Sequence, residues 1–223
     1  ETSAVTSVTG VSGTAETTAV SETSLTLVTE SDNKDNETAV DPLSSDTSGI
    51  VFKSENTFEN DTEIDSAPKT EYSENTLVKG NLTIKSGTEL HVKQGVVIEV
   101  QGDLIIEEGA ALNVSEGKIK TVVKGNVVIK GKMHYTDSTV VIEGNLTEEG
   151  NAEIQGNGTV VLTGSKQQHV DTHSRIYRLV NKNTSGEPLA FTNSLNFETY
   201  EDNGKGIITF KKNDRGEYTE EAG

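Results

Sequence analysis

The chain has 223 residues, a formal charge of −17, four histidines, and neither cysteine nor tryptophan. This rules out a disulfide framework and thiolate chemistry, and no basic stripe could neutralise the phosphates of a nucleic acid. No apolar run is long enough to cross a bilayer, so membrane insertion is not expected, and adhesion to an anionic membrane by charge alone is disfavoured.

The acidity is concentrated at the start. Residues 1–76 hold 16 Asp/Glu against three Lys, which leaves a net −4 for residues 77–223. Twenty of the first fifty residues are Ser or Thr, and the first aromatic is Phe52. Such a stretch buries too little apolar surface to offset its ordering entropy, so residues 1–49 read as a disordered acidic linker. Residues 50–76 read as an acidic segment forming an N-terminal cap or a first partial coil, with Ile50-Val51-Phe52, Phe58 and Ile64 as its apolar anchors. The start at Glu1 suits a processed export product, and the polar end suggests that more protein follows.

From Leu77 the pattern sharpens. Leu82 and Ile84, Leu90 and Val92, Val96, Ile98 and Val100, Leu104 and Ile106, and Leu112 and Val114 alternate with polar residues. This is the period of strands with one face buried. The phrase Gly-(Asn/Asp)-(Leu/Val)-x-Ile recurs at Gly80, Gly102 and Gly125, with a degenerate copy at Gly144. The glycines are 22, 23 and 19 residues apart. A period near twenty carried by short strands is the signature of a solenoid.

Aligning the copies predicts three ladders: Leu82, Leu104, Val127 and Leu146 inward; Ile84, Ile106 and Ile129 inward; and Asn81, Asp103, Asn126 and Asn145 as a polar corner. The glycine of each phrase is expected to take positive φ there. The coils are placed at 77–164, followed by C-terminal coils and an irregular cap over 165–212. Phe191, Leu195, Phe197 and Tyr200 form the aromatic centre of that cap, and Ile207, Ile208 and Phe210 extend it. Residues 213–223 read as a polar tail. About six coils spaced by roughly 4.8 Å give a rod of roughly 30 Å, and a flexible tether of about 70 residues adds a reach of roughly 45 Å.

The run Gly102-Asp103-Leu104-Ile105-Ile106-Glu107-Glu108-Gly109-Ala110-Ala111-Leu112-Asn113-Val114 resembles the repeat of exported surface proteins of Gram-positive bacteria. Gly158–Gln168, ending in a Gly-x-x-x-Gln turn, and Ile176–Asn183, with its aromatic-x-Leu-x-x-x-Asn pattern, resemble the usual end of such arrays. The resemblance implies an all-β fold, a right-handed parallel β-helix without assigned catalytic residues, at the bacterial cell surface or secreted.

Candidate sites are few. In extended conformation His169, Asp171 and His173 share a face while Val170 points inward, a spacing that could hold Zn²⁺ or another divalent ion. The alternative is an exposed polar strand face. His91 and His134 are isolated and read as surface residues. Glu99, Asp103, Glu107, Glu108, Glu116, Glu143, Glu148 and Glu149 could serve a polysaccharide lyase or hydrolase, but the turns are too short to wall a cleft. They read instead as solubilising acids that could hold Ca²⁺ loosely. Six Asn-x-Ser/Thr sequons, at Asn36, Asn60, Asn81, Asn145, Asn157 and Asn183, matter only in a eukaryotic secretory host. Lys79-Gly80 and Lys124-Gly125 read as solvated edges.

The expectation is therefore a non-enzymatic extracellular structural β-solenoid, a rod, stalk or filament subunit that associates end to end. The alternatives are an adhesin-like module for a glycan or surface protein and, third, a polysaccharide-acting enzyme. No cofactor is expected beyond loosely bound calcium.

Overall fold

The computed structural model describes residues 56–65, 69–115, 117–118, 120–192, 196–202, 205–212 and 218–220. The linker assigned to 1–49 and the Ile50-Val51-Phe52 anchor lie outside the described residues. Among the described residues there is no helix.

The strands are three to six residues long, as expected where two or three inward side chains are followed by a turn. The first coil is complete, with β1 (Asn56–Phe58), β2 (Thr62–Ile64) and β3 (Lys69–Tyr72). The next comprises β4 (Thr76–Val78), β5 (Leu82–Ile84) and β6 (Glu89–Val92). The third has β7 (Val97–Val100), β8 (Leu104–Ile106) and β9 (Ala111–Asn113). The fourth has β10 (Lys120–Val123), β11 (Val127–Ile129) and β12 (Lys132–His134). The fifth has β13 (Thr139–Ile142), β14 (Leu146–Glu148) and β15 (Glu153–Gln155). Each coil contributes one strand to each of three sheets, here I, II and III.

Then the cross-section changes. Sheet III stops at β15 with five strands, while sheets I and II run on to eight and nine. The later turns alternate between two sheets: β16 (Thr159–Leu162) with β17 (His169–Asp171), β18 (Ile176–Asn181) with β19 (Leu189–Thr192), and β20 (Phe197–Glu201) with β21 (Ile207–Lys212). The last strand, β22 (Tyr218–Glu220), reverses and pairs antiparallel with β21; among the described residues the other strand pairs are parallel.

Adjacent strands stack in register. Leu82, Leu104, Val127 and Leu146 form one inward ladder that continues through Val170 to Phe191. Ile84, Ile106 and Ile129 form the second. These residues are at most 1% exposed. One coil could not bury them alone, so each rung's stability depends on its neighbours.

The segment 165–212 is more regular than an irregular cap, because β17 to β21 keep the parallel stacking. Phe191, Phe197 and Tyr200 do make an aromatic cluster, with ring centroids 5.9 and 5.2 Å apart. Leu195 lies outside the described residues.

Candidate functional site

The corner between sheets I and II carries a polar ladder that repeats from rung to rung. Each side-chain oxygen accepts the backbone N–H of its counterpart on the next rung. Asn81 N donates to Asp61 Oδ1 (2.8 Å), Asp103 N to Asn81 Oδ1 (2.8 Å), and Asn126 N to Asp103 Oδ1 (2.6 Å). Asn145 N donates to Asn126 Oδ1 (2.9 Å), and His169 N to Asn145 Oδ1 (2.8 Å). The expected ladder of Asn81, Asp103, Asn126 and Asn145 is present, with Asp61 and His169 added at its ends.

The glycines before these residues act differently from the expectation. Positive φ belongs to the glycines of other turns, such as Gly87, Gly95 and Gly109. At Gly102 an added Cβ would stand 2.8 Å from the Gly80 carbonyl oxygen, and at Gly125 it would stand 2.6 Å from that of Gly102. The corner demands glycine because successive backbones approach too closely for a side chain, and not because of a left-handed conformation. Gly125 N donates to Gly102 O (3.0 Å) across this contact.

Where the ladder ends the corner widens into a loop over 163–168. Gln168, almost fully buried, closes it. Its Nε2 donates to Ile142 O (3.0 Å) and Gly144 O (2.5 Å), while its Oε1 accepts from Gly164 N and Asn183 Nδ2, both at 2.8 Å. The Gly-x-x-x-Gln turn and the Asn that ends the following strand pattern are thus halves of one clamp. The loop overhangs an open recess of about 370 Å³ lined by Lys124, Asn126, Glu143, Asn145, Lys166 and Gln167. Lys124 is engaged with Glu143 at 2.5 Å.

Glu148 occupies the rung after Ile129 in the second inward ladder. It was grouped with the solubilising acids, yet its side chain is fully buried. Oε2 accepts from His173 N (2.8 Å) and Ser174 N (2.7 Å), and Oε1 accepts from the Ser174 hydroxyl. Ser174 Oγ in turn accepts from Ile154 N (3.0 Å). This network sits where sheet III ends. The carboxylate satisfies the turn that replaces a third strand, and Ser174 caps the last β15 amide that points toward the missing rung.

The His169, Asp171, His173 set is not brought together. His169 and Asp171 share the outer face of β17, but the strand ends at Asp171 and His173 lies in the turn. There its Nε2 is 3.0 Å from Ala152 O and its Nδ1 is 3.4 Å from Glu148 Oε2. Asp171 is buried. His169 packs on Phe210, ring centroids 5.6 Å apart, and burial pulls its pKa down, partly offset by Asp171. Among the described residues no three His, Asp or Glu side chains form a metal-binding group.

Several of the other acids are paired outward across rungs. Lys79 meets Glu59 at 2.8 Å, Lys85 meets Glu107 at 2.5 Å and Lys93 meets Glu71 at 3.0 Å. The Lys85 hydrogen bond holds the Glu107 carboxyl below its usual range. Lys130 and Glu149 lie 3.4 Å apart. Lys79 and Lys124, read as solvated edges, are therefore inter-rung partners. Glu116 lies outside the described residues. His91 stands on the outer face of sheet III, 2.8 Å from Glu89.

No protein-family model, curated protein or solved structure matches this chain.

Proposed function

We propose that the chain is a non-enzymatic structural β-solenoid of an extracellular bacterial protein, a short rod carried on an acidic Ser/Thr-rich tether. The observation that supports this reading most is the outer surface. Among the described residues, Lys–Glu pairs bridge successive rungs over short turns, so that these acids are spent on neighbouring lysines. The stack of eight strands in sheet I spans roughly 35 Å at about 4.8 Å per step. A rod is favoured over a filament subunit because β22 turns antiparallel at the end of sheet II. A second copy added there would not continue the parallel register.

A second reading, a glycan-binding module, draws on the recess beside Lys124, Asn145 and Lys166, which offers amide and ammonium donors in an open polar hollow. Negative-stain microscopy and light scattering on a sizing column, with and without Ca²⁺, test the first reading. Monodisperse monomers are expected in both conditions, and filaments would replace the rod by a self-assembling subunit. Glycan-array binding abolished by Asn145→Ala and Lys166→Ala would move the conclusion to the second reading.

A further inference from the structure

The contact that builds the polar ladder recurs at the corner between sheets III and I. Asp137 takes a left-handed conformation, φ 50°, and its N–H donates to Asn157 Oδ1 at 3.0 Å. Asn157 is exposed in the turn between β15 and β16, and Gly158 follows it. Among the described residues this is the one Asn-Gly pair. Its glycine is fixed by the fold. An added Cβ would run into the Tyr135 carbonyl oxygen and stand 2.5 Å from that of Ser138.

Asn157 differs chemically from Asn81 and Asn126. In all three the side-chain oxygen accepts a backbone N–H from a neighbouring rung: Asp103 N for Asn81, Asn145 N for Asn126 and Asp137 N for Asn157. Such a donor polarises the amide carbonyl and steadies negative charge that develops on Oδ1. The nitrogen that follows sets them apart. Leu82 N donates to Asp103 O at 2.9 Å, and Val127 N to Asn145 O at 2.8 Å. Gly158 N has no acceptor among the described residues, and the absence of a Cβ leaves its approach to Asn157 Cγ uncrowded.

We propose that Asn157 is a self-modifying site, where the Gly158 nitrogen closes on the Asn157 side chain and the product loosens the junction between three-sided and two-sided coils. Once a solvent base takes the Gly158 amide proton, that nitrogen bonds to Asn157 Cγ. The Cγ–Nδ2 bond breaks, and Nδ2 leaves as ammonia with a proton from water, giving a cyclic imide. Water then opens the imide. Attack at Cγ restores the main chain with an ordinary aspartate. Attack at the Asn157 main-chain carbonyl carbon leaves the chain running through Cγ, an isoaspartyl link one carbon longer.

The corner has no room for that longer link. Gly158 lies against the Tyr135 and Ser138 carbonyls, and Thr159 N donates to Ser138 O at 2.8 Å where β16 takes up its register on β13. An extra backbone carbon displaces this start, so β16 is unseated while the earlier coils keep their stacking.

Peptide mapping by mass spectrometry, on the full chain held folded in mildly alkaline buffer, tests the proposal. Asn157 is expected to convert about tenfold faster than Asn81 or Asn126, whose following amides must first give up a hydrogen bond. It should also convert at least as fast as in the urea-unfolded chain. In the isoaspartyl product, Thr159–Leu162 should lose amide-exchange protection while Val127–Ile129 keeps it. Freshly prepared Asn157→Asp, which adds the charge without the extra carbon, should stay protected in both strands. Slower conversion of Asn157 in the folded than in the unfolded chain would overturn the proposal, as would equal rates at Asn157 and Asn126. So would full protection of Thr159–Leu162 in the isoaspartyl product. The rate comparisons use the parent chain alone, so they decide the matter even if the variant fails to fold.

Discussion

In the first five coils, the corner between sheets I and II is three residues long and ends in an Asn or Asp that repeats with the rung, preceded by a glycine from the second coil onward. From β16 onward the same corner is a loop of five to seven residues, held once by Gln168 and Asn183 and once by Ser185 and its neighbours. The early half gains stability by repetition. Successive rungs make the same contact from a backbone N–H to an Asn or Asp side-chain oxygen, and each contact is worth about 1 kcal/mol net. The late half depends on single residues with several partners, Gln168 within it and Glu148 at the boundary, so damage there cannot be shared among copies. A solenoid can change its cross-section only where such a specialised residue satisfies the groups that the missing strand would have paired.

The largest effect expected from this contrast is at Glu148. Replacement by Ala orphans two backbone amides and a hydroxyl, and should cost about 4 kcal/mol. Urea denaturation would read this, and Glu148→Gln, whose one carbonyl oxygen can still accept from both backbone amides, should lose less. Next comes the glycine pair test. Gly125→Ala forces a Cβ against the Gly102 carbonyl and should cost about 3 kcal/mol. Gly95→Ala, which has positive φ and open space around it, should cost only about 1 kcal/mol. Equal costs at the two sites would remove the close-approach explanation.

Breaking one link of the corner ladder by Asn126→Ala should cost about 1–2 kcal/mol, less than the glycine change because the backbone bonds across the corner survive. The smallest effect concerns pH. Burial lowers the His169 pKa in the folded chain, so the unfolded chain binds the proton more readily. That part of the stability is complete above about pH 6.5 and declines as the pH falls through the ordinary imidazole range. Thermal unfolding of the parent and His169→Gln between pH 7.5 and 5 should converge toward low pH if the parent is the more stable at high pH. A parent that gains relative to the variant on acidification would reverse the sign.

Much of the three-sided half was legible in the sequence. Leu82, Leu104 and Val127 sit at one phase of a period-2 pattern that recurs at the coil length, and nothing in tertiary packing competes with that signal. The role of glycine was misjudged because one residue type serves two needs, positive φ and close approach, and the sequence does not separate them. The two-sided half was harder. Gln168 and Asn183 were visible as a motif, but their joint hydrogen bonding depends on a loop geometry that no periodicity encodes. Glu148 left a trace, since it aligns with Ile84, Ile106 and Ile129 and breaks their apolar run. A buried carboxylate and a surface one look alike until the partners of the next turn, His173 and Ser174, are placed. The metal reading of His169, Asp171 and His173 assumed an extended strand through all three, whereas the strand stops at Asp171.

The fold depends on a register in which residues about 22 apart in sequence are neighbours in space. Because the chain has no cysteine of its own, two introduced cysteines give an unambiguous test. Thr83 and Ile105 are paired on adjacent outer rungs of sheet II, whereas Thr83 and Val128 are one rung further apart. Under mild oxidation Thr83→Cys with Ile105→Cys should close an intramolecular disulfide, since stacked Cα atoms lie about 4.8 Å apart. Thr83→Cys with Val128→Cys, about 9.6 Å apart, should not. Closure of the second pair in preference to the first would contradict the stacking on which the whole account rests.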